Sequence, residues 1–350
     1  MATKLDHYRL LGNSGLRVSP LCLGTMTFGE DWGTGTDKDG SRAILDAYAD
    51  RGGNFLDTAD IYTNGSSETI TGELLKGRRD EFVLATKYTF DMSQGGDPNA
   101  AGNHRKNMVR SVEGSLRRLK TDYIDLYWVH AYDGRTPVAE TMRALDDLVR
   151  QGKVLYVGVS DFPAWKVAQA NTLAELRGLS PFVALQVEYS LVERTTERDL
   201  LPMARDLGLG VTPWSPLGQG VLTGKFLDKG DFGDDSTRLG KNPKRMGGKY
   251  TNDDGTSAVR AVVELAKERG VTPSQVALAW LLHQPGVTAP IVGARRLEHV
   301  TDNLDAVNVD LSGDDLSKLD DASAIKPGFP HEFLVEVEGG LTAGCTVEKR

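Results

Sequence analysis

Cysteine is scarce in this chain: two among 350 residues, Cys22 and Cys345, near opposite ends. That excludes a disulfide framework and any Cys-x-x-Cys metal or redox motif. Histidine is little better represented. The six histidines are scattered, with no His-x-x-x-His pair and no Cys/His cluster, which argues against a zinc dehydrogenase and leaves no residue set to assign to a metal. Positive charge is also short, since 41 Lys and Arg face 49 Asp and Glu for a formal net charge of −8. Nucleic acid and anionic membrane surfaces both call for a Lys/Arg excess, so neither is an expected partner. Any anion must be held by a local basic cluster. No run approaches the roughly 18 apolar residues of a membrane helix, and the N-terminal MATKLDHYRLLGNSG has no signal-peptide core. The expectation is a soluble cytoplasmic protein, with a homo-oligomer left open.

What is present is a globular balance, 26% charged and 39% hydrophobic, which rules out disorder over most of the chain. Short β-branched or aromatic runs alternate with amphipathic stretches. The runs fall at 21–24, 54–57, 82–87, 123–130, 154–160, 182–186, 209–215 and 289–293. Helical patterns lie between them, such as 41–52, 109–120 and 139–152; in the last, Met142, Leu145 and Leu148 share one face before Gly152. Continuous apolar strands separated by helices indicate parallel βα units buried on both faces. An open doubly wound sheet and a closed barrel both accept this rhythm. Eight strands and no glycine-rich dinucleotide fingerprint favour a (β/α)8 TIM barrel. One α/β domain is expected over 1–350: a β-hairpin at 8–18, a barrel over about 20–310, and a tail over about 311–350, irregular from Pro327 onward. A long Gly-, Asp- and Lys-rich loop, 216–256, follows the seventh strand.

Barrel chemistry gathers where strands end. Here the strands end in Asp57, Lys87, His130, Ser160 and Gln186, with Ser215 just past the seventh. Taken singly, a strand-end Asp or Ser reads as a helix cap and a His beside Trp128 as core. Together, on adjacent strands, they point at one mouth. Asp57 and Lys87 on neighbouring strands would pair and keep the ammonium charged, and Tyr62, in the loop after Asp57, could fold back over them. A cation within about 4 to 6 Å favours the phenolate and lowers a phenol's pKa. Asp, Lys, Tyr and His then make a metal-free proton-transfer site for a carbonyl or alcohol oxygen.

The chain resembles the aldo-keto reductases over roughly residues 8 to 310. The resemblance is carried in order by NFLDTADIYTNGSSE (54–68), FVLATK (82–87), YIDLYWVHAYD (123–133), GKVLYVGVSDF (152–162), LQVEYSLVER (185–194), WSPLGQGVLTGK (214–225) and PIVGARRLEHVTDN (290–303). The wording is most similar to reductases related to aryl-alcohol dehydrogenases and potassium-channel β subunits. The resemblance implies NADPH-dependent reduction of aldehydes or ketones to alcohols in a (β/α)8 barrel, with Asp57, Tyr62, Lys87 and His130 as the catalytic tetrad. Tyr62 would protonate the carbonyl oxygen, Lys87 held by Asp57 would sharpen its acidity, and His130 would orient the substrate. The channel-subunit likeness implies an alternative, an NADPH-binding regulatory or scaffold subunit with little turnover.

For the cofactor, the resemblance implies Ser160 and Gln186 on the nicotinamide carboxamide and Trp214 stacked on the ring. Ser215, Leu217 and Lys225 would meet the pyrophosphate. Gly293 and Arg295 would lie at the adenosine phosphate, with His299, Asp302 and Asn303 at the adenine end. Arg238, in STRLG, is a further phosphate contact, and Gly24, Thr25 and Met26 beside Asp57 complete the set. Lys225, Arg238 and Arg295 supply positive charge suited to a 2′-phosphate, hence NADPH over NADH. Two positions depart from the family's usual wording. Asp161 stands where many relatives carry Asn, and His299 where many carry Gln. Trp32, Tyr88 and Trp128 are the expected substrate pocket, suiting aromatic or medium-chain carbonyls. Trp165 and Trp280, on helical faces, read as core. GQGVLTGK lacks the first Gly of a phosphate loop, where Gln219 stands, and its Ser/Thr, where Phe226 stands, and GVSDF lacks the last Gly of a nucleophile elbow, so neither nucleotide hydrolysis nor acyl transfer is expected.

Overall fold

Eight short parallel strands curve into a ring in the computed structural model, which describes residues 5–93, 95–227 and 253–346. Two two-residue strands come first, β1 (Arg9–Leu10) and β2 (Arg17–Val18), an antiparallel hairpin at the expected place. The barrel strands are β3 (Cys22–Gly24), β4 (Phe55–Asp57), β5 (Val83–Tyr88), β6 (Ile124–Val129), β7 (Val154–Ser160), β8 (Phe182–Glu188), β9 (Gly210–Trp214) and β10 (Ile291–Val292). They pair in chain order, with β10 returning beside β3. A parallel bridge between Val211 and Val287 brings the chain entering β10 against β9 and closes the ring.

Helices cover the outside: α1 (Lys38–Ala49), α2 (Ser66–Leu74), α3 (Arg105–Leu119), α4 (Val138–Arg150), α5 (Ala164–Arg177), α6 (Leu200–Asp206), α7 (Asp253–Arg269), α8 (Pro273–His283) and α9 (Leu297–Leu304). Met142, Leu145 and Leu148 of α4 are fully buried, as their spacing requires. Tyr88 and Tyr127 stack with centroids 5.2 Å apart in the layer between strands and helices, with Met108 and Val112 of α3. The inner face holds a separate cluster that includes Phe55, Ala85, Leu126, Trp128 and Ala184, floored by Leu11 and Val18 of the hairpin. Gly158 leaves room for the Trp128 ring, since a Cβ there would lie 2.4 Å from it. Among the described residues no helix is long and apolar enough to cross a membrane.

Three expectations need correction. Trp280 is fully buried, but Trp165 is 63% exposed, because it stands in the first turn of α5 on the side away from the barrel. The loop after β9 is shorter than 216–256, since α7 starts at Asp253, and Gly218–Thr223 form a 3-10 turn. From Pro327 onward the described tail is partly helical rather than irregular. α10 (Gly313–Ala322) sets Leu319 into the main core, and α11 (His331–Glu336) and α12 (Glu338–Leu341) follow. Ser312 and Asp315 form a capping box at the start of α10, where the sequence shows Ser-x-x-Asp rather than the commoner Ser-x-x-Glu.

Candidate active site

In a strand, alternate residues share a face, so Val83, Ala85 and Lys87 point into the barrel, as do Phe55 and Asp57. The deeper members fill the bore with apolar atoms. The last inward residues, Asp57 and Lys87, stand at the mouth. Lys87 is completely buried, and its ammonium meets three acceptors: Asp57 Oδ1, the Thr58 carbonyl at 2.7 Å and the Tyr62 hydroxyl at 3.2 Å. Three donors and three acceptors leave nothing unpaired. Burial alone would lower the Lys87 pKa, but Asp57 and Tyr62 outweigh it and hold the ammonium above its ordinary value.

Tyr62 opens a tight turn in which Thr63, Asn64 and Gly65 all have positive φ. Thr63 fixes the turn, giving its hydroxyl proton to the Phe28 carbonyl and accepting from the Ser67 amide. The turn lays the phenol over the ammonium, 4.7 Å from the ring centroid. His130, just past β6, sets its ring edge-on to Tyr62 with centroids 6.0 Å apart. The His130 amide is held by the Tyr88 carbonyl at 3.1 Å. Burial, with Lys87 nearby, pushes its imidazole pKa well below the ordinary value, so the ring is neutral at physiological pH. The structure thus brings all four predicted catalytic residues together.

Beside them, Ser160 Oγ and His130 Nδ1 are buried without a hydrogen-bond partner, as is Gln219 Oε1 in the turn after β9. Buried polar atoms are normally satisfied, so such orphans at one mouth mark where a polar ligand binds. Trp214 donates its indole N–H to Asp161 Oδ1 at 3.0 Å. Lys225 and Arg295 lie near enough for the Lys225 pKa to be lowered, first by burial and then by the arginine. Arg295 and His299 are exposed at the start of α9, Gly293 is exposed just before it, and α9 has no side-chain cap. Free amides at a helix start beside cations suit a phosphate.

Several site expectations change. Tyr88 is fully buried and faces outward, its hydroxyl 3.3 Å from the Asn103 carbonyl, because it follows the inward Lys87 by one residue. Trp128 points inward but lies a layer beneath the mouth, fully buried in the bore. Neither lines a pocket. Trp32 does stand at the mouth, 39% exposed and edge-on to Tyr62 at 6.4 Å, and Phe90 packs edge-on against His130 at 4.8 Å. Thr25 is fully buried, with its hydroxyl taken up by the Asp57 carbonyl and Ser67. The Asp302 carboxylate accepts from Thr272 and Gln275 at the start of α8, which turns it into a helix clamp. Asn303 is buried, and Gly24 and Met26 sit where β3 ends. Ser215 takes a positive φ, Leu217 packs on the core, and Arg238 lies outside the described residues. The Thr58 carbonyl, which any residue could supply, has no signal in the sequence.

The sequence model of the aldo/keto reductase family matches residues 20–324. The chain belongs to that family. As an aldo/keto reductase it is an oxidoreductase of the carbonyl and alcohol class. It is 40% identical to a norsolorinic acid reductase of Aspergillus flavus over 95% of this chain and 85% of that protein. A norsolorinic acid reductase B of Dothistroma septosporum matches at 40% with the same coverage. An NADP(+) aryl-alcohol dehydrogenase of Phanerodontia chrysosporium matches at 38%, over 94% of this chain and 89% of that protein.

Proposed function

We propose that the protein reduces aromatic aldehydes or ketones to alcohols with NADPH, and that Tyr62 delivers the proton. The single observation that carries this reading is the buried ammonium between Asp57 and the Tyr62 hydroxyl. A phenol is a weak acid at neutral pH, and a desolvated cation beside it stabilises the phenolate left after transfer. The neutral His130 ring, edge-on to Tyr62, can hold the carbonyl oxygen without competing for charge.

The residues present fit a nicotinamide cofactor, which when bound supplies the hydride. Ser160 and Gln186 would hold its carboxamide and Trp214 its ring, the orphaned Ser160 hydroxyl being the support for that placement. The like-charged Lys225 and Arg295, with the uncapped start of α9, would hold phosphate, which favours NADPH over NADH. The name of the aryl-alcohol relative includes NADP(+), which agrees. Trp32 and Phe90 give the mouth aromatic walls suited to an aryl carbonyl.

Steady-state turnover across aldehydes, ketones and sugars, with NADPH and with NADH, tests the reading. Sustained turnover, many alcohols formed per protein molecule and faster with NADPH, is the expected result. At most a single oxidation of bound cofactor on every substrate, with no sustained turnover, would favour a cofactor-loaded regulatory subunit instead.

A further inference from the structure

Gln186 makes a contact that holding a carboxamide does not require. Its side chain leaves the end of β8, which lies four strands from β4 in either direction around the ring. From there it crosses the bore, and Nε2 donates to Asp57 Oδ2 at 3.0 Å. Gln186 and Asp57 are both buried. A carboxylate oxygen accepts only, which fixes the amide's orientation. Lys87 occupies Oδ1, so the carboxylate is held at both oxygens from opposite walls of the barrel.

We propose that Gln186 is a positioning residue for the proton-donor chain: by holding Asp57 Oδ2 it fixes the carboxylate, and so keeps the Lys87 ammonium on the Tyr62 hydroxyl. Without that donor, Oδ2 would be buried and bare, with the ammonium already bound to Oδ1 of the same carboxylate. The carboxylate would turn to present both oxygens to Nζ. The Tyr62 contact, at 3.2 Å the longest of the ammonium's three, would be the first to lengthen. The phenol would then feel less positive charge and keep its proton to higher pH. One donor hydrogen and Oε1 of Gln186 remain free of Asp57, so the same side chain can meet a ligand amide, and cofactor and proton donor share a support.

Other titratable groups face this chain. Cys22 comes from β3, its thiol pushed well up by burial and Asp57. His130 comes from β6, Asp161 follows β7, Glu188 ends β8, and Asp60 stands behind β5 with a carboxyl pushed well up by burial and Glu68. All are unchanged in variants at 186, so a difference between those variants isolates the effect of Gln186.

The inference rests on the reduction proposed above, and its test has an arm that needs no turnover. In the cofactor-free protein, ionisation of Tyr62 is followed at 295 nm as the difference from Tyr62→Phe in the same background, for wild type, Gln186→Leu and Gln186→Glu. Alongside, kcat is measured against pH with saturating NADPH and an aromatic aldehyde. Gln186→Leu should move the Tyr62 transition and the alkaline limb of kcat upward by about half a pH unit or more. At pH 7 its kcat should fall about tenfold. Gln186→Glu should behave as wild type while its carboxyl is protonated and can donate to Asp57, and like the Leu variant once two carboxylates face each other. Transitions at the wild-type pH in both variants, with only cofactor affinity lowered, would overturn the proposal and leave Gln186 a carboxamide contact. If the Leu variant does not fold, the pH-conditional behaviour of Gln186→Glu decides alone. Absence of turnover in the wild type would sink the reductase reading, while the 295 nm titration would still judge this one.

Discussion

The Lys87 ammonium is fully buried 3.2 Å from the Tyr62 hydroxyl, with Asp57 on its other side. Taking both ions of such a pair out of water costs several kcal/mol each, and a hydrophobic replacement of similar volume is often no less stable. Stability alone therefore gives little reason to keep the pair. Under the proposed reduction its effect on the phenol gives one: an acid that can lose its proton to a substrate oxygen without stranding the negative charge.

Tyr62→Phe should lower turnover by about 10²-fold or more, the usual scale for a general acid. NADPH affinity should stay near wild type, because the hydroxyl is the only group removed and no phosphate contact is touched. Stopped-flow reduction together with a fluorescence titration of NADPH separates the two quantities. Near-normal turnover in this variant would remove Tyr62 from the chemistry.

The barrel, and the gathering of Asp57, Lys87 and His130 at its mouth, were legible because one periodicity governs both. Apolar strands buried on two faces mark the sheet, and a polar residue closing most of the runs marks the mouth. That periodicity also explains the errors. Tyr88 is one residue past Lys87 and so faces the helices, while Trp128 is two before His130 and so sits a layer deeper in the bore. Distant contacts left no such trace. Gln186 reaches Asp57 across 129 positions, and Asp302 turns to Thr272 through the packing of two helices. The helix at Gly313–Ala322 has only a narrow apolar stripe, which reads as tail until a core is there to receive Leu319.

Arg295→Ala should weaken NADPH more than NADH. Hydrogen bonds to charged groups contribute about 1.5–3 kcal/mol, so about 10- to 100-fold is expected for NADPH. Lys225 tempers the loss, because removing its like-charged neighbour makes it a less hindered cation. Equal losses for both cofactors, measured by equilibrium titration at fixed salt, would refute a contact with the 2′-phosphate.

His130 should leave a signature in stability against pH. Burial holds its folded pKa well below the ordinary 6.5, with Lys87 adding to the depression. The unfolded chain takes up a proton near pH 6.5 that the folded one refuses. The neutral ring's contribution is therefore complete above that pH and is lost as pH falls below it, by no more than about 1.4 kcal/mol per unit. Urea unfolding of wild type and His130→Gln at pH 7.5 and 5.5 should show the wild type losing more on acidification. A difference independent of pH would mean that the ring titrates normally.

Asp161 should give cofactor affinity a protonation step of its own. Desolvation at the crowded strand ends pushes its carboxyl up to about 6, opposed by the Trp214 indole and reinforced by Glu188. Below that pH the acid can donate to a ligand amide; above it, the group only accepts and adds negative charge beside an anionic cofactor. NADPH should therefore bind about tenfold more weakly at pH 7.5 than at pH 5.5, and Asp161→Asn, which donates at every pH, should flatten that slope. The cofactor's own phosphate titrates in the same range, but equally for both proteins, so the difference between their slopes belongs to residue 161. Calorimetric titrations in buffers of differing ionisation enthalpy should show wild type taking up more protons than the variant on binding near pH 7. Identical uptake by the two would place the carboxyl away from the bound ligand.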